Sequence, residues 1–126
     1  MKLNQVTVGT TDFEASIAFY RKLGLALIVH APPRYARFET PSGETFSIHE
    51  AEAVVGETMV YFEVEDVDAF VAALDLPLVE PPSDKTWLWR EARLVDPSGN
   101  PICIFHAGGN RRFPPWRVAQ SDGSAA

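Results

Sequence analysis

The chain has few of the features that mark secreted, membrane-bound or disulfide-rich proteins. It has one cysteine, Cys103, among 126 residues, which excludes an intrachain disulfide, a zinc ribbon and a CxxC redox motif. No apolar run approaches the roughly 20 residues of a membrane-spanning helix. The N-terminus lacks the charged and then apolar segments of a secretory signal. These absences predict a cytoplasmic protein that no membrane anchors.

Positive charge is also scarce. Lysine and arginine together number 11 against 17 acidic residues, a net charge of −6. Nucleic acids and anionic membranes are bound through basic surfaces, so neither is expected as a partner. No GxSxG, HExxH, P-loop or dinucleotide-binding motif is present. With 46% apolar and 22% charged residues, the chain has the length and composition of one globular domain.

Apolar alternation and turn signals predict the order β-α-β-β-β in the first fifty residues. The pair Thr11 and Glu14 has the spacing of a helix capping box, and Gly24 suits the end of that helix. The turn at residues 41–43 reads Pro-Ser-Gly and joins the last two strands. The strands are expected at residues 3–8, 25–30, 35–39 and 45–49.

The same order returns in the second half of the chain. Asp66 is expected to cap a helix over residues 67–74, as Asp12 heads the first helix, and Pro-Ser-Gly recurs at residues 97–99. Because the capping aspartate and the Pro-Ser-Gly turn recur in the same order, the chain contains a duplicated supersecondary unit. We therefore predict an α+β fold of two βαβββ modules (about 1–50 and 59–106) in one domain, followed by a tail (107–126). The second set of strands is expected at residues 59–64, 76–79, 86–94 and 101–105.

Three sequence strings resemble the glyoxalase/bleomycin-resistance/dioxygenase group, also called the vicinal-oxygen-chelate superfamily. They are SIAFYRKLG at 16–24, VYFEVEDVDAF at 60–70 and WREARLVDPSGNPI at 89–102. The resemblance spans roughly residues 3–106 and implies that the two modules curl into half-barrels around a cleft. The DPSGN part of the last string is turn chemistry, and we interpret it as a structural turn.

Metal-dependent members of this superfamily place a ligand on the first and last strand of each module. The resemblance carries these four positions to Gln5, Ser47, Met59 and Cys103. A thioether and a serine hydroxyl are poor ligands for hard divalent ions, and Cys103 would need partners to bind zinc. No metal and no other cofactor is therefore expected.

An altered catalytic site is the alternative. Strand alternation puts His49 on the face of Ser47, and Glu63 on the face of Met59 and Tyr61. His49 and Glu63 could serve as catalytic residues of a glyoxalase-like lyase or isomerase, or of a dioxygenase-related enzyme, or form a mixed site with Gln5. Both could equally be ordinary strand-end residues.

The expected cleft is aromatic with a few polar groups, as in pockets for planar organic molecules. Trp87 and Trp89 are expected to share one face of one strand and could enclose a ring, although they could also be core. The chain is thus predicted to bind a small aromatic or amphipathic molecule. The apolar, edge-rich half-barrels and the aromatic residues of the tail predict a homodimer. The expected ligand-binding residues are Gln5, Ser47, Met59, Tyr61, Trp87, Trp89 and Cys103; Thr7, Arg37 and Phe105 are further candidates for the cleft lining.

Overall fold

Two four-stranded sheets, each with one helix, make up the protein. The computed structural model describes residues 1–119, so the end of the predicted tail, residues 120–126, lies outside the described residues. The order of elements is βαβββ twice, which confirms the predicted α+β fold. The elements are β1 (Gln5–Thr10), α1 (Phe13–Leu23), β2 (Ala26–Ala31), β3 (Tyr35–Glu39), β4 (Thr45–Glu50), β5 (Val60–Glu63), α2 (Val67–Leu74), β6 (Glu80–Asp84), β7 (Arg90–Val95), β8 (Pro101–His106) and a short 3-10 turn (Gly108–Asn110).

The two sheets have the same topology. Their strand orders are β1-β4-β3-β2 and β5-β8-β7-β6, and in each the first strand runs parallel to the last. Thr7 lies opposite Ser47 in the first sheet, and Tyr61 lies opposite Cys103 in the second. The predicted repeat therefore extends to the strand register.

Both helices begin at an aspartate. Oδ1 of Asp12 accepts a hydrogen bond from Ala15 N at 3.1 Å, and Oδ1 of Asp66 accepts one from Ala69 N at 3.0 Å. These bonds satisfy amides that have no partner inside the helix. The cap at Asp66 was predicted, whereas the capping box at Thr11 was misplaced by one residue. Gly24 ends α1 at φ 112°, a conformation that glycine adopts without strain.

One face of each sheet is covered by its helix and the other is open. Phe38, Phe46 and Ile48 of the first sheet pack with Tyr20 of α1 in the buried core. Leu94, Ile102 and Ile104 of the second sheet join the same core. Because side chains alternate along a strand, Ser47 and Cys103 belong to the opposite faces. We call these the open faces of the first and second sheets.

The turn at residues 96–100 connects the two modules. Tyr20 donates its hydroxyl to Asp96 Oδ2 at 2.6 Å, and Asn100 Nδ2 donates to the backbone oxygen of Gly9 at 2.8 Å. Thr11 N donates to Ser98 Oγ at 2.9 Å. The DPSGN string is thus a structural turn, as interpreted from the sequence, and it also binds one module to the other.

Two strand predictions in the second module were wrong. The strand expected at 76–79 is instead β6, which contains Pro81 and Pro82. Proline is tolerated there because β6 is an edge strand. The strand expected at 86–94 starts only at Arg90, because residues 86–88 turn and Leu88 adopts φ 68°.

Candidate functional site

A cluster of polar side chains occupies the open face of the first sheet. The hydroxyls of Thr7 and Ser47 share a hydrogen bond of 2.5 Å, and Gln5 Nε2 donates to Ser47 Oγ at 3.5 Å. The Gln5 amide is oriented by Thr45, whose hydroxyl donates to Gln5 Oε1 at 2.8 Å. Ser47 is fully buried beneath these groups. The predicted site residues Gln5 and Ser47 therefore do meet.

Tyr35 and Arg37 of β3 complete this cluster. Arg37 pairs with Ser47 in the strand register, donates from Nε to the Tyr35 hydroxyl at 2.8 Å and lies over its ring. Partial burial raises the pKa of Tyr35, but the hydrogen bonds of Arg37, Ser47 and Gln5 and the arginine charge outweigh it, so the net shift is downward. Such a shift shows that these neighbours favour negative charge on an oxygen at that point.

Aromatic side chains dominate the open face of the second sheet. Trp89 stacks on Phe105 with ring centroids 4.5 Å apart and planes 18° apart. Tyr61 meets both rings edge-on, at 6.0 Å and 5.8 Å. Met59 and Trp89 pack against Cys103 and Phe105. Phe105 is buried, whereas Tyr61 remains 48% exposed, so the cluster presents an aromatic surface to solvent. We call Tyr61, Trp89 and Phe105 the aromatic platform.

Trp87 does not share a strand face with Trp89. It lies in the turn before β7 and donates from Nε1 to Glu91 Oε2 at 2.7 Å. Glu91 is buried to 1% exposure and also accepts from Arg93 Nη2 at 3.3 Å. A buried carboxylate requires such donors. The two tryptophans therefore cannot enclose a ring in the way predicted, and Trp87 instead satisfies Glu91.

Cys103 lies deep beneath the open face. It is fully buried, and desolvation raises the pKa of its thiol to about 12, with a further rise from the Glu91 carboxylate that Arg93 partly opposes. A thiol with so high a pKa is a poor nucleophile at neutral pH. Its contribution to this face is a small apolar surface.

His49 and Glu63 make no contact with each other in residues 1–119. Glu63 Oε2 accepts hydrogen bonds from the backbone amides of Ala107 and Gly108, at 2.8 Å and 3.0 Å, and Arg111 Nε lies 3.8 Å from Oε1. The carboxylate is thus occupied by the chain segment after β8. His49 is exposed at the end of β4 and borders a cavity of about 350 Å³ that residues 53–58 also line.

The other two histidines have contacts that the sequence did not predict. The His30 ring stacks on Phe13, with centroids 6.0 Å apart. His106 Nδ1 lies 2.8 Å from the backbone oxygen of Val64. His30 thus packs on the first helix, whereas His106 also lies with Nδ1 3.9 Å from Glu63 Oε2.

Comparison with known families agrees with this architecture. The family model of the Glyoxalase/Bleomycin resistance protein/Dioxygenase superfamily matches residues 2–104. The chain belongs to this superfamily. A search of curated protein sequences found no match.

Solved structures share the superfamily fold. A glyoxalase/bleomycin resistance protein/dioxygenase from Nocardioides has 24% identity and a TM-score of 0.73, covering 94% of this chain and 90% of that one. A lactoylglutathione lyase from Agrobacterium tumefaciens has 19% identity and a TM-score of 0.73, with coverage of 93% and 97%. A bleomycin-binding protein complexed with bleomycin has 14% identity and a TM-score of 0.67, with coverage of 84% and 98%.

The donors at the superfamily's metal positions do not fit a hard divalent ion. Gln5 and Ser47 meet on the first sheet, and Met59 packs near Cys103 on the second, but no hydrogen bond or ion pair joins the two pairs within residues 1–119. In that part of the chain no three His, Cys, Asp or Glu side chains lie close enough to hold one metal. Amide, hydroxyl, thioether and protonated thiol are weak ligands for magnesium, manganese or iron.

Two functional candidates emerge only from the structure. Tyr35 and Glu91 occupy equivalent positions of the two modules, two residues before Arg37 and Arg93. Charged residues alternating with apolar ones normally indicate a solvated strand face, so the sequence around Glu91 gave no sign that its side chain is buried.

In the described residues, no helix is long and apolar enough to cross a membrane.

Proposed function

We propose that the chain is a metal-independent binding protein that holds a small aromatic or amphipathic molecule against the open faces of its sheets. The observation that carries this proposal is the aromatic platform, where the stacked Trp89 and Phe105 rings support the half-exposed Tyr61. Flat aromatic surfaces of this kind attract planar ligands by stacking and by burial of apolar area.

Metal independence is supported by the donor set at the four superfamily positions. Binding through ring stacking and hydrogen bonds needs no Lewis acid. The bleomycin-binding relative supports a binding role for the fold, although its 14% identity indicates no specific ligand for this chain.

A homodimer forms part of the proposal. Small-molecule sites usually bury about 70–90% of the ligand surface. The aromatic platform lies on one open sheet face, with Tyr61 at 48% exposure, and would leave a bound ligand largely in water. A second copy of the chain laid over these faces would complete the enclosure and cover the exposed apolar side chains.

The test is titration with Nile red, a neutral planar dye whose fluorescence rises when it leaves water. The wild type should bind the dye, and EDTA treatment should leave the affinity unchanged. Trp89→Leu should weaken binding about tenfold, since the lost stacking and area amount to about 1.4 kcal/mol.

Trp116→Leu is the matched control, because Trp116 is an exposed tryptophan in the tail, 56% accessible and outside the platform. It should bind the dye as the wild type does. Binding that disappears with EDTA, or that Trp89→Leu leaves intact, would contradict the proposal.

A further inference from the structure

Arg37 differs from its counterpart in the second module. The duplicated topology places Arg37 beside Ser47 and Arg93 beside Cys103 at equivalent positions of β3 and β7. Arg93 is neutralised by Glu91 Oε1 at 3.3 Å and approached by Glu80 Oε2 at 3.9 Å. Arg37 forms no ion pair in residues 1–119, and its only hydrogen bond is donated to the Tyr35 hydroxyl.

The absence of an ion pair at Arg37 in the described residues contrasts with the acidic character of the chain, which carries a net charge of −6. Glu39 lies two residues along the same strand face, yet it makes no ion pair with Arg37 in the described structure. A half-buried guanidinium that lacks a counter-charge favours an anion from outside. Nε is occupied by Tyr35, so the terminal nitrogens are available for the two parallel bonds that a carboxylate accepts.

The groups around Arg37 are also suited to an anionic oxygen. Tyr35 offers its hydroxyl, and the Gln5 amide is held in place by its bonds to Thr45 and to the buried Ser47. The lowered pKa of Tyr35 supports the same conclusion, because these neighbours stabilise a negative oxygen more than burial opposes it.

We propose that Arg37, with Tyr35 and Gln5, forms a carboxylate-binding subsite above the buried Ser47, so that the preferred ligand is an aromatic carboxylate. The inference rests on the proposed function for the aromatic part of the ligand only. The subsite occupies the first sheet and the platform the second, so each can be tested separately.

The experiment is an NMR titration of isotope-labelled protein with naphthoate and, in parallel, with the uncharged naphthamide of the same isomer. The signals observed are Arg37 Nε–H for the subsite and Trp89 Nε1–H for the platform. We expect naphthoate to shift both signals and to bind about tenfold more tightly than the amide, the advantage of one charge-assisted bidentate contact.

Arg37→Gln should lower the affinity for naphthoate to that for naphthamide and so abolish the preference. Arg21→Gln is the control, since it removes the same charge from the last turn of α1, the helix on the covered side of the sheet. It should behave as the wild type. The wild-type Arg37 signal reports on the subsite even if the variant fails to fold.

The outcomes separate the two proposals. If both probes shift Trp89 with equal affinity and Arg37 does not respond, the carboxylate subsite is wrong and the binding function stands. A naphthoate response at Arg37 without one at Trp89 would support the subsite and overturn the aromatic platform. No response to either probe at either residue would overturn both.

Discussion

Replacing Tyr20 by phenylalanine should weaken the junction between the two modules. The Tyr20 hydroxyl donates to Asp96 Oδ2 at 2.6 Å, and both residues are buried, at 0% and 3% exposure. The substitution keeps the ring and its contacts with Phe38 and Phe46, so it removes the hydrogen bond without leaving a large cavity.

The expected loss is about 2 kcal/mol in the free energy of unfolding. A hydrogen bond to a charged group contributes roughly 1.5–3 kcal/mol. The Asp96 carboxylate keeps three other donors, which are the amides of Ser98 and Asn100 at 2.9 Å each and Asn100 Nδ2 at 2.8 Å. It is therefore not left without partners, and the cost stays near the middle of that range.

Urea unfolding followed by circular dichroism measures this loss, and the melting temperature should fall by roughly 8 °C for a domain of this size. The measurement belongs at neutral pH. Burial and the bond to Asp96 raise the pKa of Tyr20 well above its ordinary value of 10.0. The stabilisation that the Tyr20 hydroxyl contributes is therefore complete below about pH 10 and declines at higher pH.

Tyr61→Phe is the matched control, because the Tyr61 hydroxyl makes no hydrogen bond in the described structure and the residue is 48% exposed. It should change the stability by less than about 0.5 kcal/mol. Equal stabilities of the two variants would refute a role for the Tyr20 hydroxyl at the junction.

Three further outcomes are expected. The Cys103 thiol, with a pKa raised to about 12 by burial, should not react with a thiol reagent at pH near 8 until denaturant exposes it; fast labelling of the native protein would contradict its burial. Light scattering at micromolar concentration should give twice the chain mass of 13.9 kDa, and a monomer would refute the dimer. The dimer interface should bury more than about 1,000 Å² in total. His49→Ala should change Nile red affinity by less than about threefold, because an exposed side chain at a strand end contributes little binding energy; complete loss of binding would place His49 in the site.

Local sequence signals were sufficient for most of the secondary structure. Asp66 and Gly24 mark helix ends because a capping carboxylate and a left-handed residue act within a few positions of the chain. The prediction failed at β6, whose prolines are acceptable only because the strand lies at a sheet edge. Edge position is a property of the sheet and has no local signal.

Alternation and turn chemistry along the chain were enough to predict the duplicated βαβββ order, the two capped helices and the polar and aromatic character of the open strand faces. Which of those side chains have partners depends on the folded chain. It engages Glu63 with the backbone after β8 and turns Trp87 onto the buried Glu91. It also gives Arg93 two acidic neighbours within 4 Å, whereas Arg37 forms no ion pair in residues 1–119. Pairing of this kind depends on residues far apart in the chain, and periodicity along a strand carries no information about it.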